Sequence, residues 1–460
     1  MRVSSQVATL KYLGKNRARM GYLAPLLILA AIAFSGCSYT AGGADVSLSP
    51  DGAWAAYSWA KQWDLPLPPE MPTVRSEVWL RWCKLSCSKE ARAAKMGVFG
   101  KDWSGYDVKN RIHPIFSPDN RYLAVASPRR LCVIDCLTGE QHTLTGPDEV
   151  ATSLVWLDKT QLAYASCSMT TDRQRKGATK RFWRQKIDGS PGERDLIFIQ
   201  DESYGCAEKG LDITAWPRER WSPDGRFALF KAQGFRGGLM LLDVAAGKAT
   251  VIAPTGYTFE GLSWKSDGSR AACLGLGQGG IVLAFIINPR TGEKQDFSEH
   301  FSREFRDEVN LSAASLYPLW TPDDQYLVIN DVRKGGCLLQ PHLWKVIPVA
   351  KLLIDHLKQS DSRVLAKETE SRLPWAFWQP AKGWVRVWVQ FQERGYRRGI
   401  DYLVDYSGRA FVPLGESGAP GGGWKITPDG KHAVKVEGPG ELEVRELRLP
   451  SGGKYPSPSR

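Results

Sequence analysis

Three kinds of side chain in this sequence could do chemistry: cysteine as nucleophile or ligand, histidine as base or ligand, and carboxylate as acid, base or cation site. The six histidines (113, 142, 300, 342, 356 and 432) are scattered, and no two of them have metal-binding spacing. No Gly-x-Ser-x-Gly stretch makes a nucleophile elbow, no Gly-x4-Gly-Lys-Ser/Thr loop cradles a phosphate, and no His-Glu-x-x-His pairs ligands on a helix. His113 stands ahead of an apolar strand and could face a channel, but a lone histidine there reads as a wall residue. Asp201, Glu202, Glu208 and Asp212 form the densest acidic group near aromatics. They suit a cation or a sugar, but a solvated loop is the more ordinary reading. The expectation is no catalytic residue, no metal and no cofactor.

One cysteine has a distinctive setting. A basic stretch (Lys11, Lys15, Arg17, Arg19) precedes an apolar run from Tyr22 to Phe34, then Ser35-Gly36-Cys37. The run is too short to cross a bilayer and ends in small residues, the pattern of a secretory signal. Phe-Ser-Gly-Cys resembles a bacterial lipobox, with Phe34 in place of the usual leucine. That resemblance implies diacylglycerol attachment to Cys37, cleavage before it and N-acylation. Ser38 follows with no aspartate retention signal, which resembles outer-membrane sorting in a diderm. Met20 opens a compact version of the same signal and is an alternative start. The expected division is a signal at 1–36, a linker at 37–43 and one domain over 44–460.

The other eight cysteines would then meet an oxidising compartment. Cys83 and Cys87 occupy the same places in one unit as Cys132 and Cys136 in the next. On a strand, a spacing of four separates each pair by about 13 Å, too far to bridge within the pair. Bridges between units, partnership with Cys273 and Cys337, and buried free thiols all remain open.

Carboxylates recur for a different reason. Ser-Pro-Asp-Gly or a close variant stands at 49–52, 117–120, 222–225, 265–268, 321–324 and 427–430, with weaker copies at 157–160 and 379–382. Proline presets φ, the aspartate bonds its own backbone, and the last residue accepts positive φ. These aspartates are turn formers, and their repetition argues against a unique catalytic task. A large apolar residue precedes each turn (Phe116, Trp156, Trp221, Trp264, Trp320), and a second apolar strand follows, as at Phe227–Phe230. Third strands are expected at 77–85, 182–187, 239–244, 281–287, 342–347, 400–405 and 442–447. A four-stranded meander has bare edges and an uncovered face, so it is stable only when copies pack together. The reading is all-β: an eight-bladed β-propeller, with seven blades as the alternative.

Trp221-Ser-Pro-Asp-Gly-Arg-Phe-Ala-Leu-Phe230 and its counterparts resemble the repeats of TolB-like (WD40-like, PD40) β-propellers, over nearly all of the chain after residue 44. TolB itself carries an α/β domain ahead of its propeller, and this chain has blade-like sequence there. The resemblance is therefore to the repeat family and not to TolB. Propeller-containing peptidases share such repeats but append a hydrolase domain, for which no sequence remains.

Strands alternate in direction, so turns between strands one and two, or three and four, share one end of the ring. The units exceed the roughly 40–45 residues of an ordinary blade, and the excess falls at the other end: 60–76, 89–112, 167–179, 201–218 and 299–314. Long loops on a rigid frame are where binding residues collect. Trp63, Trp103, Tyr106, Tyr204 and Trp216 lie there and form the expected recognition face, although any one of them could simply cap the apolar interior. Cys167 and Cys206 fall at the same end of one blade and are a candidate disulfide. Val349, Ala350, Leu353, Ile354 and Leu357 have helical spacing, which predicts a short amphipathic helix between the third and fourth strands of unit six.

The net charge is +12, and residues 1–36 carry five positive side chains and no acidic one. Export and the lack of basic residues interleaved with stacking aromatics argue against nucleic acid as partner. The expected function is a non-catalytic, membrane-tethered module of the cell envelope that binds a protein or glycan. The alternative is a propeller hydrolase or lyase acting on carbohydrate or a small ester.

Overall fold

The repeated turn folds through its own side chains. Ser49 Oγ donates to Asp51 Oδ1 (2.6 Å) and accepts from the Trp54 N–H (2.8 Å). The same pair of bonds recurs at Ser117, Ser222, Thr321 and Thr427. The fourth residue takes positive φ each time, whether glycine (Gly52, 71°; Gly225, 66°; Gly430, 72°), Asn120 (61°) or Asp324 (58°). Each turn thus sends the chain back antiparallel with its polar atoms satisfied.

The structure, a computed structural model, describes residues 38–41, 46–64, 74–99, 113–127, 130–146, 149–168, 178–188, 193–203, 220–231, 238–278, 281–305, 319–331, 335–360, 375–377, 383–393, 396–416, 423–437 and 441–449. Its strands form eight antiparallel sheets. Blade 1 contains β1 (Ser38–Ala41), β2 (Ser47–Leu48), β3 (Trp54–Asp64), β4 (Val74–Lys84) and β5 (Arg92–Phe99). Blade 2 contains β6 (His113–Phe116), β7 (Tyr122–Ser127), β8 (Arg130–Asp135) and β9 (Gln141–Thr143). Blade 3 contains β10 (Glu149–Trp156), β11 (Gln161–Ser168), β12 (Ala178–Lys186) and β13 (Arg194–Ser203). Blade 4 contains β14 (Arg220–Trp221), β15 (Phe227–Lys231), β16 (Leu239–Asp243) and β17 (Lys248–Ala253). Blade 5 contains β18 (Tyr257–Trp264), β19 (Ala271–Gly277), β20 (Val282–Ile287) and β21 (Lys294–Asp296). Blade 6 contains β22 (Leu319–Trp320), β23 (Leu327–Asp331), β24 (Gly335–Gln340) and β25 (Lys345–Ile347). Blade 7 contains β26 (Trp375–Phe377), β27 (Trp384–Glu393), β28 (Tyr396–Asp405) and β29 (Phe411–Glu416). Blade 8 contains β30 (Lys425–Ile426), β31 (His432–Glu437) and β32 (Glu441–Glu446). Sequence neighbours pair within each sheet, except that β1 and β2 both pair with β3, so every blade is a meander.

Alternation along the strands gives every blade two apolar faces, and each is used. Val78, Leu80 and Trp82 of blade 1 pack on Leu123, Val125 and Ile134 of blade 2. Equivalent clusters join blades 2 to 3, 3 to 4, 4 to 5, 5 to 6, 6 to 7 and 7 to 8. An eighth, of Val46, Ala55 and Tyr57 with Val434, joins the last blade to the first. The ring is closed: this is an eight-bladed β-propeller, and the seven-bladed alternative falls. Full burial of each large apolar side chain supplies about 1.5–3 kcal/mol, which no single blade could collect alone.

Inner strands are also stitched directly. The indole N–H of Trp156 donates to the Ile115 carbonyl (2.9 Å), that of Trp221 to Ser153 Oγ (3.0 Å) and that of Trp264 to the Arg220 carbonyl (2.8 Å). In each case a tryptophan before a turn reaches the inner strand of the preceding blade.

Several expectations are corrected. The helix α2 (Val349–Ser360) follows β25, so it lies between blades 6 and 7 and not between strands three and four of blade 6. Its buried face, Val349, Ala350, Leu353, Ile354 and Leu357, fills the wedge against Val328, Val387 and Val404. A helix not foreseen, α1 (Ser298–Phe305), occupies the same place between blades 5 and 6. The third strand of blade 6 is Gly335–Gln340, not 342–347. Strands end at Lys84 and Asp135, before Cys87 and Cys136, and Cys87 sits exposed in a 3-10 turn over Leu85–Glu90. Cys83, Cys87, Cys132, Cys136, Cys273 and Cys337 are free thiols. Trp82 faces blade 2, so its strand neighbour Cys83 points away from Cys132 and Cys136, which pack toward blade 1.

Candidate recognition face

The meander topology decides which connections share an end. Turns such as 49–52, 117–120 and 222–225 gather at one end, and they touch around the ring: Gly52 approaches Pro428, and Gly268 approaches Asp224. At the opposite end the described strands β3, β5, β11 and β13 finish and β4, β6, β12 and β14 begin; residues 65–73, 100–112, 169–177, 204–219, 306–318 and 361–374 lie outside the described residues. Strands run further into the long segments than expected: β3 and β4 extend as a hairpin to Asp64 and Val74.

Trp63 pairs with Arg75 near the tip of that hairpin, at the long-connection end. The remaining expected face residues, Trp103, Tyr106, Tyr204 and Trp216, lie outside the described residues, as do Cys37 and Cys206. Cys167 is paired in β11 opposite Lys180. His113 opens β6 opposite Ala126. Of the acidic group, Asp201 and Glu202 fall within β13, and Glu208 and Asp212 lie outside the described residues.

Two side-chain clusters were not foreseen. On β3 and β4, Trp59 and Trp79 face each other across the ladder and stack with ring centroids 6.2 Å apart and an interplanar angle of 15°. The Arg81 guanidinium lies 5.2 Å from the Trp59 ring, and Lys95 Nζ lies 5.9 Å from that of Trp79 and pairs with Glu77. The sequence signal was available: Trp59 and Trp79 stand at the same distance from the ends of two paired runs.

The second cluster draws on all four strands of blade 3. Arg194 Nη1 reaches Glu149 Oε2 (2.5 Å) and the Tyr164 hydroxyl (3.0 Å), and its guanidinium lies 3.8 Å from the Trp183 ring. The Tyr164 hydroxyl donates to Gln185 Oε1 (3.0 Å), Trp183 Nε1 to Ser166 Oγ (2.9 Å), and Ser166 Oγ to Glu149. Burial, opposed by Arg194, pushes the Tyr164 phenol up to about 12. Every member is engaged by another, so the cluster binds the sheet together and offers no activated group to a substrate.

Among the described residues no group of three or more His, Cys, Asp or Glu is placed to hold a metal, and no helix is long and apolar enough to cross a membrane. A groove of about 660 Å³ beside the tight-turn end of blade 3 is walled by charged groups, including the Arg184–Asp195 pair (3.2 Å).

No protein-family model and no curated protein matches this sequence. Among solved structures the chain is similar to an oligogalacturonate lyase in complex with manganese, with 12% identity and a TM-score of 0.42 over 90% of this chain and 98% of that one. The oligogalacturonate lyase of Vibrio parahaemolyticus is 12% identical, TM-score 0.41, over 89% and 97%. TolB from Acinetobacter baumannii is 12% identical, TM-score 0.32, over 83% and 80%. The class of this protein rests on its own eight closed sheets.

Proposed function

We propose that this protein is a non-catalytic, lipid-anchored module of the bacterial cell envelope that binds a protein or glycan through its long-connection end. The observation that carries this reading is the inequality of the two ends. The tight-turn end is committed to holding itself together, its hydroxyls and aspartates bonded to each other and to their own backbone. Trp63 lies at the other end, to which the sequence assigns its longest connections together with Trp103, Tyr106, Tyr204 and Trp216. Trp and Tyr give large contact area at low entropic cost.

The tether is Cys37, acylated after cleavage of residues 1–36, and in a diderm host it holds the ring at the outer membrane facing the periplasm. A Cys167–Cys206 disulfide would pin the connection between blades 3 and 4. Affinity capture of the acylated protein from detergent-solubilised membranes tests the reading, with bound partners identified by mass spectrometry. Recovery of the partner should fall with Trp63→Ala or Trp216→Ala. Undiminished recovery from both variants would reject the face, and turnover of a sugar polymer or ester by the purified ring would reject the non-catalytic assignment.

A further inference from the structure

Seven of the eight sheets have a fourth, outermost strand, whereas blade 8 stops at its third: its order is β30-β31-β32, and no described strand lies beyond β32. The register shows which backbone groups this leaves open. Leu447 donates its N–H to the Lys431 carbonyl (2.7 Å), and Arg445 and Glu443 stand opposite Ala433 and Lys435. Successive residues of a strand turn their backbone groups to opposite sides. Glu441, Glu443 and Arg445 therefore bond β31, while Leu442, Val444 and Glu446 turn N–H and C=O outward. A row of donors and acceptors of this kind is a template for one more strand.

We propose that the outer edge of β32 is a docking site for one extended segment of a partner protein. The segment completes blade 8 as its fourth strand and carries a basic side chain at each end of the paired stretch. It runs antiparallel to β32, as the fourth strand of every other blade runs to its third.

The neighbours restrict what can enter. β29 of blade 7 and β5 of blade 1 each lie one strand further out, so β32 is recessed by about 4.8 Å between them. A single strand fits that recess, whereas the folded rim of a second copy is stopped by β29 and β5. Side chains opposite Leu442 and Val444 face blade 1, where these two are partly buried with Val46, Ala55 and Tyr57. Those opposite Glu443 and Arg445 face blade 7, over a groove of about 510 Å³ walled by Ile400, Tyr402, Pro413, Glu416, Lys435 and Arg445. Arg445 spans to that blade by donating to the Leu414 carbonyl (2.8 Å). Charge sets the ends. Glu443 is taken by Arg445 (2.6 Å), but Glu441 and Glu446 are exposed and form no ion pair among the described residues. A lysine or arginine opposite each supplies the counter-charge.

The probe is the peptide Lys-Tyr-Val-Thr-Val-Lys, fluorescein-labelled and C-terminally amidated, its first residue matched to Glu446 and its last to Glu441. Fluorescence anisotropy should show saturable binding to the full chain. Proline as the probe's third residue, which must bond Val444, should abolish binding. Proline as the fourth, whose N–H points away from β32, should leave it intact. Val444→Pro removes an outward N–H and no bond to β31, a place where an edge strand accepts proline. Its melting temperature should hold while probe binding is lost; if this variant unfolds, the two probe prolines still decide. Glu441→Gln and Glu446→Gln should each weaken binding by up to about fivefold, the worth of an exposed ion pair. No saturable binding, binding that a folded Val444→Pro variant retains, or equal effects of the two probe prolines overturns the proposal. Binding seen only after deletion of residues 450–460 also overturns it, by giving the edge to this chain's own tail. A dimer that Val444→Pro dissolves overturns it in favour of a second copy.

Discussion

Ser266 and Asp324, from the turns of adjacent blades, are bonded to each other twice: the Ser266 N–H donates to Asp324 Oδ1 (2.8 Å) and its hydroxyl to Oδ2 (2.7 Å). Both depart from the repeat. Ser266 stands where the turns at 49–52, 117–120, 222–225, 321–324 and 427–430 have proline, and so keeps an N–H to donate. Asp324 stands where most have glycine, and holds φ at 58°. Left-handed backbone costs a non-glycine residue about 1–2 kcal/mol, and the two charge-assisted bonds across the blade boundary offset it.

The pair should therefore couple. Asp324→Gly and Ser266→Pro are each expected to lower stability by about 1 kcal/mol, near the net worth of a hydrogen bond. The double variant, which restores the common turn at both places, should lose less than the sum. Urea denaturation of the three variants and the parent gives the coupling; strict additivity would show that the contact contributes nothing.

Tryptophans before the turns join neighbouring inner strands. Trp221→Phe keeps the ring against Phe182 but removes the bond to Ser153, at an expected cost of about 1 kcal/mol. Trp221→Ala should cost about 3–5 kcal/mol because it also opens a cavity. Thermal unfolding distinguishes the two, and equal losses would mean that packing alone matters.

A buried ion pair closes blade 7 on blade 8. Arg386 and Asp401 are 3% and 0% exposed, Nε to Oδ1 is 3.6 Å, and each also bonds the backbone of Trp424 (2.8 Å and 3.1 Å). Asp401→Ala leaves a guanidinium without its counter-charge and should cost about 3–5 kcal/mol. Gly423→Ala should destabilise too, because its Cβ would collide with the Asp401 carboxylate. Normal unfolding midpoints for both variants would contradict this account.

Acid should loosen the tight-turn end. The Ser269 hydroxyl and N–H hold Asp267 below the usual carboxylate value of 3.8. At Asp158 and Asp429 burial works the other way, but hydrogen bonds from Thr160 and Thr427 outweigh it. A depressed folded-state pKa means that the unfolded chain binds more protons, so the stabilisation is present above 3.8 and lost as pH falls through the folded values. Melting temperature should fall more steeply below about pH 5 in the parent than in D158N/D267N/D429N. Parallel curves would count against these turns as the acid-sensitive element.

The thiols should separate sharply. Burial pushes Cys83 and Cys132 up to about 11 and Cys136 to about 12, and raises Cys273 as well. At neutral pH, iodoacetamide should alkylate Cys87 in the folded protein and these four only after denaturation, read by peptide mass spectrometry. Rapid modification of Cys132 would mean that the interface of blades 1 and 2 opens.

Much of this molecule was legible in the chain because the information is local. Ser/Thr-Pro-Asp-Gly closes on itself through bonds spanning two to five residues, so Asp51 and Gly52 specify their turn wherever the blade is placed. Period-two alternation marked both faces of each blade for burial, and that demanded neighbours. The long segments were legible as insertions, and strict alternation of strand direction predicts one end for all of them.

Other features depend on residues far apart in sequence, brought together only by ring closure. The Trp221–Ser153 bond, the Ser266–Asp324 pair and the Arg386–Asp401–Trp424 junction carry no local signature. Cys87 read as a strand residue because its spacing from Cys83 matched that of Cys136 from Cys132, yet the chain turns after Lys84 in one blade and after Asp135 in the other. Likewise, helical periodicity fixed the buried face of α2, but only the packing of blades 6 and 7 decided that this face fills the wedge between them. Period and turn chemistry act within one blade, whereas the partner of each outward-facing side chain is chosen by the blade that closure places beside it.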